Sequence, residues 1–243
     1  RLRIYLGAAP GVGKTTLLTQ MARQIEADRC VVCLVGERGR EVEALWSSGL
    51  DDRMRARFAL VAATSEETAA RRVQAVEQAL ALAIGWRSEG LHVLFLLDSV
   101  TRYAMALREL GLAAGEPPTV RAYTPGVFAA LPRLVERCGA VKGGGAITAV
   151  MTVLSESDDV DDPVVEVMKS LTDGHILLSR RIAEQGRYPA IDVLRSISRL
   201  ARQVMTPEHA RAAARALSIL GAYEASRPMI EAGVYVQGGH AQT

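Results

Sequence analysis

Three short stretches carry residues whose types and spacing suit phosphate chemistry. The first, "GAAPGVGKTTLL" (residues 7–18), fits the pattern A/G-x-x-x-x-G-K-T/S, with Ala8 where the strict form has glycine, followed by Gly13, Lys14 and Thr15. Glycines let successive backbone N–H groups converge on phosphate oxygens, and a helix opening behind them adds its dipole. The loop offers Ala9, Pro10, Gly11, Val12, Gly13, Lys14, Thr15 and Thr16 to a nucleotide. Lys14 would reach the terminal phosphates, and the Thr15 hydroxyl would ligate Mg²⁺. The second stretch, "VLFLLDSVTRYA" (93–104), ends an apolar run in Asp98. A carboxylate there is costly to bury without a cation or hydrogen bonds, so Asp98 is the candidate to hold Mg²⁺ through water; it also suits a helix cap, and the two roles are compatible. The third, "CLVGERGREVEALW" (33–46), places Glu37 directly after Gly36. Taken alone, Glu37 reads as a solvated residue opening a helix. Beside the other two motifs it reads as the carboxylate that orients and polarises an attacking water.

These groups need elements that deliver them to one place. Continuous apolar runs at Leu2–Gly7, Cys30–Gly36, Phe58–Thr64, Leu91–Asp98 and Ala146–Leu154 predict strands covered on both faces, and His175–Ser179 predicts another. Helices are expected near Lys14–Glu26, Glu41–Ser48, Glu66–Arg87, Ser99–Leu112 and Val127–Arg137. Such alternation implies right-handed crossovers and a mostly parallel sheet flanked by helices, an α/β fold. Parallel strands bring their carboxyl ends to one rim, which would gather Lys14, Glu37 and Asp98. The loops "GEPPTVRAYTPG" (115–126) and "SESDDVDDP" (155–163) are long, polar and placed for an active site. From Thr206 to Ala225 an alanine- and arginine-rich helix follows, with Thr206 and Pro207 as cap and first turn. Its basic face "EHARAAARAL" reads as a solvated surface.

Composition excludes several classes. With 243 residues, a net charge of +2 and 5% aromatics, nothing demands a polyanionic partner or offers a stacking platform for single-stranded nucleic acid. No apolar run approaches the roughly 18–20 residues that span a bilayer, and no signal peptide is visible. Cys30 and Cys33 form a C-x-x-C, but in a strand residues three apart point to opposite faces. With Cys138 they read as core thiols of a reducing cytoplasm rather than a metal or redox site. The chain opens at Arg1 inside an expected strand without an initiator Met, which reads as a fragment of something longer.

The wording of several segments resembles one family closely. "GERGREV", "DSVTRYAMALRELGLAAGEPPTVRAYTPGVFAALPRLVERCG", "DGHILLSR" and "YPAIDVLRSISRL" are similar to the ATPases of type III secretion systems and of flagellar export, relatives of the catalytic subunits of rotary ATP synthases. The likeness runs from Arg1 to about Gly238 and is most specific over Asp98–Gly139. It implies a RecA-like P-loop NTPase core over 1–205 and the truncated start of a helical region over 206–243, with the family's N-terminal β-barrel absent. It implies Mg²⁺-dependent ATP hydrolysis with Glu37 activating water, followed by Arg38, and with Asp98 and then Arg102 one helical turn on. By the same resemblance Tyr188, in "YPA", packs on the adenine. Arg199, in "SISRL", which alone reads as a surface arginine, becomes the finger entering a neighbour's site in a homohexamer. Implied partners are export-apparatus stator and stalk proteins and chaperone–substrate complexes, with no nucleic acid. The implied location is cytoplasmic, peripheral to the inner membrane through the export machinery. The secretion branch is favoured over the flagellar one on the wording around "VFAALPRL" and "YPAIDVLRSISRL".

Departures from the family pattern leave the catalytic groups in place. Ala9 stands where glycine or serine is usual, and Pro10 removes one N–H donor from the loop. "AYTPGVF" replaces "GYPPSVF", and Val167 replaces an acid. An active enzyme is therefore expected, although ring assembly by the fragment alone is not implied. The alternatives are a rotary ATP synthase subunit, a Rho-like RNA-translocating ring, and a nucleotide-binding subunit without turnover. The first lacks the β-subunit wording after Asp98, the second finds little electrostatic footing here, and Glu37 beside Lys14 and Asp98 counts against the third.

Overall fold

A computed structural model describes residues 3–9, 11–48, 55–154 and 162–234. In chain order its main elements are β1 (Arg3–Ala8), α1 (Lys14–Gln24), β2 (Arg29–Glu37), α2 (Gly39–Ser48), β3 (Phe58–Thr64), α3 (Ala69–Ser88), β4 (His92–Asp98) and α4 (Val100–Ala113). There follow α5 (Pro125–Glu136), β5 (Gly139–Ala140), β6 (Ala146–Leu154), α6 (Pro163–Leu171), β7 (Gly174–Leu177), α7 (Arg180–Glu184), β8 (Ile197–Ser198), α8 (Ala201–Val204) and α9 (Pro207–Glu231). One sheet runs in the order β3-β2-β4-β6-β1-β7-β8, with β5 added beside β6. Its pairings are parallel except β5–β6 and β7–β8.

The apolar runs form strands buried on both sides because helices cover both faces. Val31, Cys33 and Val35 of β2 and Val93, Phe95 and Leu97 of β4 enter one core cluster; Cys30, Val32, Leu34, Leu94 and Leu96 enter the other. That alternation is the period-2 pleat, and it puts Cys30 and Cys33 on opposite faces, as their spacing requires. All three cysteines are free and buried. Burial pushes the Cys30 thiol up to about 12 and raises Cys33 and Cys138 as well, so they stay protonated and inert.

Element boundaries differ locally from the sequence expectation. The helix expected from Glu66 starts at Ala69, because Thr68 turns its side chain to accept from Arg71 N. Likewise Ser99 caps α4 from outside, accepting from Arg102 N. The C-terminal helix runs past Ala225 to Glu231, with Thr206 accepting from His209 N at its start. Helices α6 and α7 were not anticipated. Asp162 makes α6 possible: its Oδ1 accepts from Val164 N and Val165 N, and Pro163 occupies the first turn. The rest of the "SESDDVDDP" loop, 155–161, and the tail 235–243 lie outside the described residues.

Candidate active site

β1, β6, β4 and β2 are neighbours and parallel, so their carboxyl ends open on one rim. A cleft of about 590 Å³ lies there, lined by Ala9, Gly11 and Gly13 from the loop after β1, Lys14 at the start of α1, Glu37 at the end of β2, Arg38 just after it, and Arg102 from α4. Gly11 and Gly13 take left-handed φ values of 83° and 90°, a conformation that costs other residues about 1–2 kcal/mol. Gly13 sits at the N-cap of α1 with no side chain capping the helix, so the first N–H groups of α1 remain available to an anion. Thr15 and Thr16 are exposed beside them, whereas Val12 is buried in the core cluster that holds Cys30 and Val32 and can offer a ligand only its backbone. Pro10 lies outside the described residues.

Lys14 holds the rim together. Its Nζ lies 2.6 Å from Asp98 Oδ1 and 3.6 Å from Glu37 Oε1. Asp98, only 2% exposed, also accepts from Thr152 Oγ1 at 2.7 Å. Its other oxygen, Oδ2, is buried without a partner among the described residues. An orphaned buried carboxylate oxygen is expensive and is what a cation would relieve. Thr15 and Asp98 both line one small cavity of about 20 Å³ whose other walls are mostly apolar. Among the described residues no cluster of three His, Cys, Asp or Glu could cage a metal. The donor set therefore suits Mg²⁺ held by one hydroxyl, one carboxylate, water and substrate phosphates.

Glu37 owes its aim to a bulge. The β2–β3 register shifts between Val35 and Glu37, and the intervening Gly36 has φ 70°. Bulges beside active sites re-aim a side chain. Arg102 locks this one: its guanidinium donates to Gly36 O at 2.8 Å, and a Cβ on Gly36 would meet the Arg102 stem at 3.1–3.3 Å. Arg102 thus buttresses the backbone that presents Glu37. Burial, then the Asp98 charge, then a hydrogen bond with Glu41 raise the Glu37 pKa above the ordinary carboxylate range, while Lys14 and Arg102 oppose the shift. Arg38 lines the cleft and is exposed; its carbonyl accepts from Glu41 N at 2.9 Å.

Two expected residues stand away from this group. Tyr188 is 64% exposed and lines a neighbouring cleft of about 200 Å³ with Val12, Gly13, Thr16 and Pro189. It is placed as a flat surface beside the phosphate loop. Arg199 is exposed, does not line the phosphate cleft, and donates to Lys169 O at 3.0 Å and Ser170 O at 3.5 Å. Those carbonyls end α6, where a cation is favoured. Residues that sequence reasoning passed over include Gly36, Glu41 and Thr152. A glycine inside a strand run signals a bulge, and Glu41 lies one helical turn beyond Glu37; a single threonine in an apolar strand gives no such signal.

A doubly covered parallel sheet with this phosphate loop and two rim carboxylates defines a P-loop nucleotide-binding domain. Residues 2–198 match the nucleotide-binding domain of the ATP synthase alpha/beta family, and the chain belongs to that family. It is 47% identical over 242 residues to the flagellum-specific ATP synthase of Pseudomonas aeruginosa, covering 99% of this chain and 54% of that protein. It is 46% identical over 241 residues to the type 3 secretion system ATPase of Pseudomonas syringae pv. tomato, again covering 99% and 54%. The chain thus spans about half the length of the curated relatives it matches. Among solved structures, the assembled ATPase EscN of the enteropathogenic E. coli type III secretion system superposes with a TM-score of 0.95 at 42% identity, over 100% of this chain and 58% of that one. EscN in complex with its central stalk EscO gives 0.91 at 40%, over 100% and 57%.

Proposed function

We propose that the chain is the ATP-binding and catalytic part of a protein-export ATPase that hydrolyses Mg²⁺-ATP in a homohexameric ring. The observation that carries this reading is the convergence of Lys14, Glu37 and Asp98 on one rim, with Lys14 Nζ 2.6 Å from Asp98 and 3.6 Å from Glu37. Incoming phosphates offer Lys14 and the α1 N-terminus their natural counter-charge. Bound Mg²⁺, held by Thr15 and through water by Asp98, would neutralise charge developing on the phosphates. Freed from Lys14, Glu37 accepts the proton of the attacking water at its carboxylate, and Arg102 keeps the bulge fixed while it does so. Tyr188 stacks on the adenine, and Arg38 faces the cleft as a further charge.

In this reading residues 1–205 form the catalytic domain and 206–243 open a helical region. Arg199 serves the neighbouring subunit's site, since it does not line its own. Likeness to an assembled ATPase, and to one bound to its stalk, supports a homohexamer with a stalk partner. Stator proteins and chaperone–substrate complexes follow as further partners of an export apparatus on the cytoplasmic face of the inner membrane. No helix among the described residues is long and apolar enough to cross a membrane. Both branch names occur among relatives at similar identity, so the secretion branch rests on the sequence wording alone.

The test is Mg²⁺-ATP hydrolysis against protein concentration, with Glu37→Gln as control and with added RNA. Specific activity that rises with concentration, disappears in the variant and ignores RNA is expected. Activity untouched by Glu37→Gln would remove the catalytic assignment, and stimulation by RNA would favour a Rho-like translocase.

A further inference from the structure

Among the described residues the Asp98 carboxylate makes two hydrogen bonds, and both fall on one oxygen. Oδ1 receives Lys14 Nζ at 2.6 Å and Thr152 Oγ1 at 2.7 Å, while Oδ2 is buried with no partner. A carboxylate has room for about four donors, so this lopsided loading fixes the rotation of the group and leaves one oxygen bare. The two donors differ in permanence. Lys14 is the flexible one and is drawn to any phosphate that enters the cleft. Thr152 is fully buried on the central strand β6, between Leu6 of β1 and the Leu97–Asp98 end of β4. Its branched side chain has restricted rotamers, and its hydroxyl donates to Asp98.

Other threonines show that this arrangement is not the default. Buried Thr172 returns its hydroxyl to a backbone carbonyl, Met168 O, at 2.7 Å. Thr152 instead donates across the sheet to a charged group, a stronger and shorter class of bond.

We propose that Thr152 is the positioning residue of the metal site. Once Lys14 turns to the phosphates, the Thr152 hydroxyl alone holds Asp98 Oδ1, keeping Oδ2 aimed at the cation. Thr152 touches neither metal nor nucleotide; it acts through Asp98. This rests on the Mg²⁺-ATP reading given above. Groups that orient a metal-binding carboxylate in this way typically contribute about 10- to 100-fold to metal affinity.

The experiment titrates Mn²⁺, followed by its electron paramagnetic resonance signal, into the protein saturated with ATP, and separately measures ATP binding in EDTA. Thr152→Val keeps the volume and removes the hydroxyl; Thr152→Ala removes it without an added methyl, should the valine not be accommodated; Thr152→Ser restores it. The expected result is Mn²⁺ affinity weakened about 10- to 100-fold in the Val and Ala variants and recovered in Ser, with metal-free ATP binding within about twofold throughout. Unchanged Mn²⁺ affinity in a folded Val or Ala variant would overturn the role of Thr152 and leave the ATPase reading standing. Absence of ATP-dependent Mn²⁺ binding in the unaltered protein would overturn the metal site itself, and the role of Thr152 with it.

Discussion

The phosphate rim and the outer edge of the sheet hold their functional groups in opposite ways. At the rim, Lys14, Glu37 and Asp98 have side chains only 11%, 13% and 2% exposed, and Lys14 pairs with both carboxylates. At the β7–β8 edge and the loop before it, Tyr188 is 64% exposed, and Val193 and Ile197 present half their surface to solvent. Arg199 is exposed there too, parked on the last carbonyls of α6. The first region gathers its groups inward; the second displays what it carries. Such a division suits a site finished by a second subunit, because the buried half can be organised in advance while the displayed arginine arrives on assembly.

Arg199→Ala should break this comparison most severely. An arginine finger is worth about 10³–10⁵ in rate, so turnover should fall by that order while ATP binding to the separate subunit is kept. Glu37→Gln should come next, with a loss of about 10²–10⁴ from removal of the general base. Mixing the two inactive variants tests the trans assignment directly. Adjacent Arg199→Ala and Glu37→Gln subunits recreate an intact site at one kind of interface, so steady-state hydrolysis should partly return. A mixture as inactive as its parts would place Arg199 outside the neighbour's site.

Within the displayed region the smaller partner is Tyr188. Stacking of a base on an aromatic ring is worth about 1–3 kcal/mol, so Tyr188→Ala should raise the KM for ATP by about 5- to 150-fold and leave kcat near its original value. Tyr188→Phe should behave like the unaltered protein, since the ring and not the hydroxyl is used. A fall in kcat with unchanged KM would move Tyr188 out of the base site.

The same contrast separates what the sequence could show from what it could not. The apolar runs, the phosphate loop and the acids after Gly36 and Leu97 were legible because local chemistry dictates them, and the parallel rim followed from alternation. The opposite faces of Cys30 and Cys33 followed from the pleat alone. Helix α6 was missed because its nine residues depend on Asp162 and Pro163 for a start signal, inside a stretch that reads as an acidic loop. The bulge at Gly36 and the bond from Thr152 to Asp98 were missed for another reason. The glycine hinted at the bulge, but the bonds that fix these features join elements far apart in sequence, 66 residues for Arg102 of α4 to Gly36 and 54 for Thr152 of β6 to Asp98 of β4, and no local pattern marks such a pair. Arg199 and Tyr188 had no physical signature beyond the resemblance, since an exposed arginine and an exposed tyrosine are ordinary.

The smallest expected effect lies in the pH profile of the rim. Burial, the Asp98 charge and a hydrogen bond that protonated Glu37 donates to Glu41 all favour the protonated form of Glu37, and Lys14 and Arg102 only partly oppose them. Water activation needs the carboxylate, so kcat/KM should rise with pH along an acid limb lying above the ordinary glutamate value of about 4.3. The stability linkage has the opposite sign. The folded chain holds this proton more tightly than the unfolded one, so the contribution of Glu37 to folding is present at low pH and is lost as pH rises through the raised pKa. Glu41→Gln replaces a carboxyl that favours the proton with an amide that can donate to the charged form. The acid limb should therefore move to lower pH, with little change on the plateau, in an otherwise intact enzyme. A limb that ignores Glu41→Gln but disappears in Glu37→Gln would leave Asp98 and burial as the cause of the shift; one that survives Glu37→Gln would belong to another group altogether.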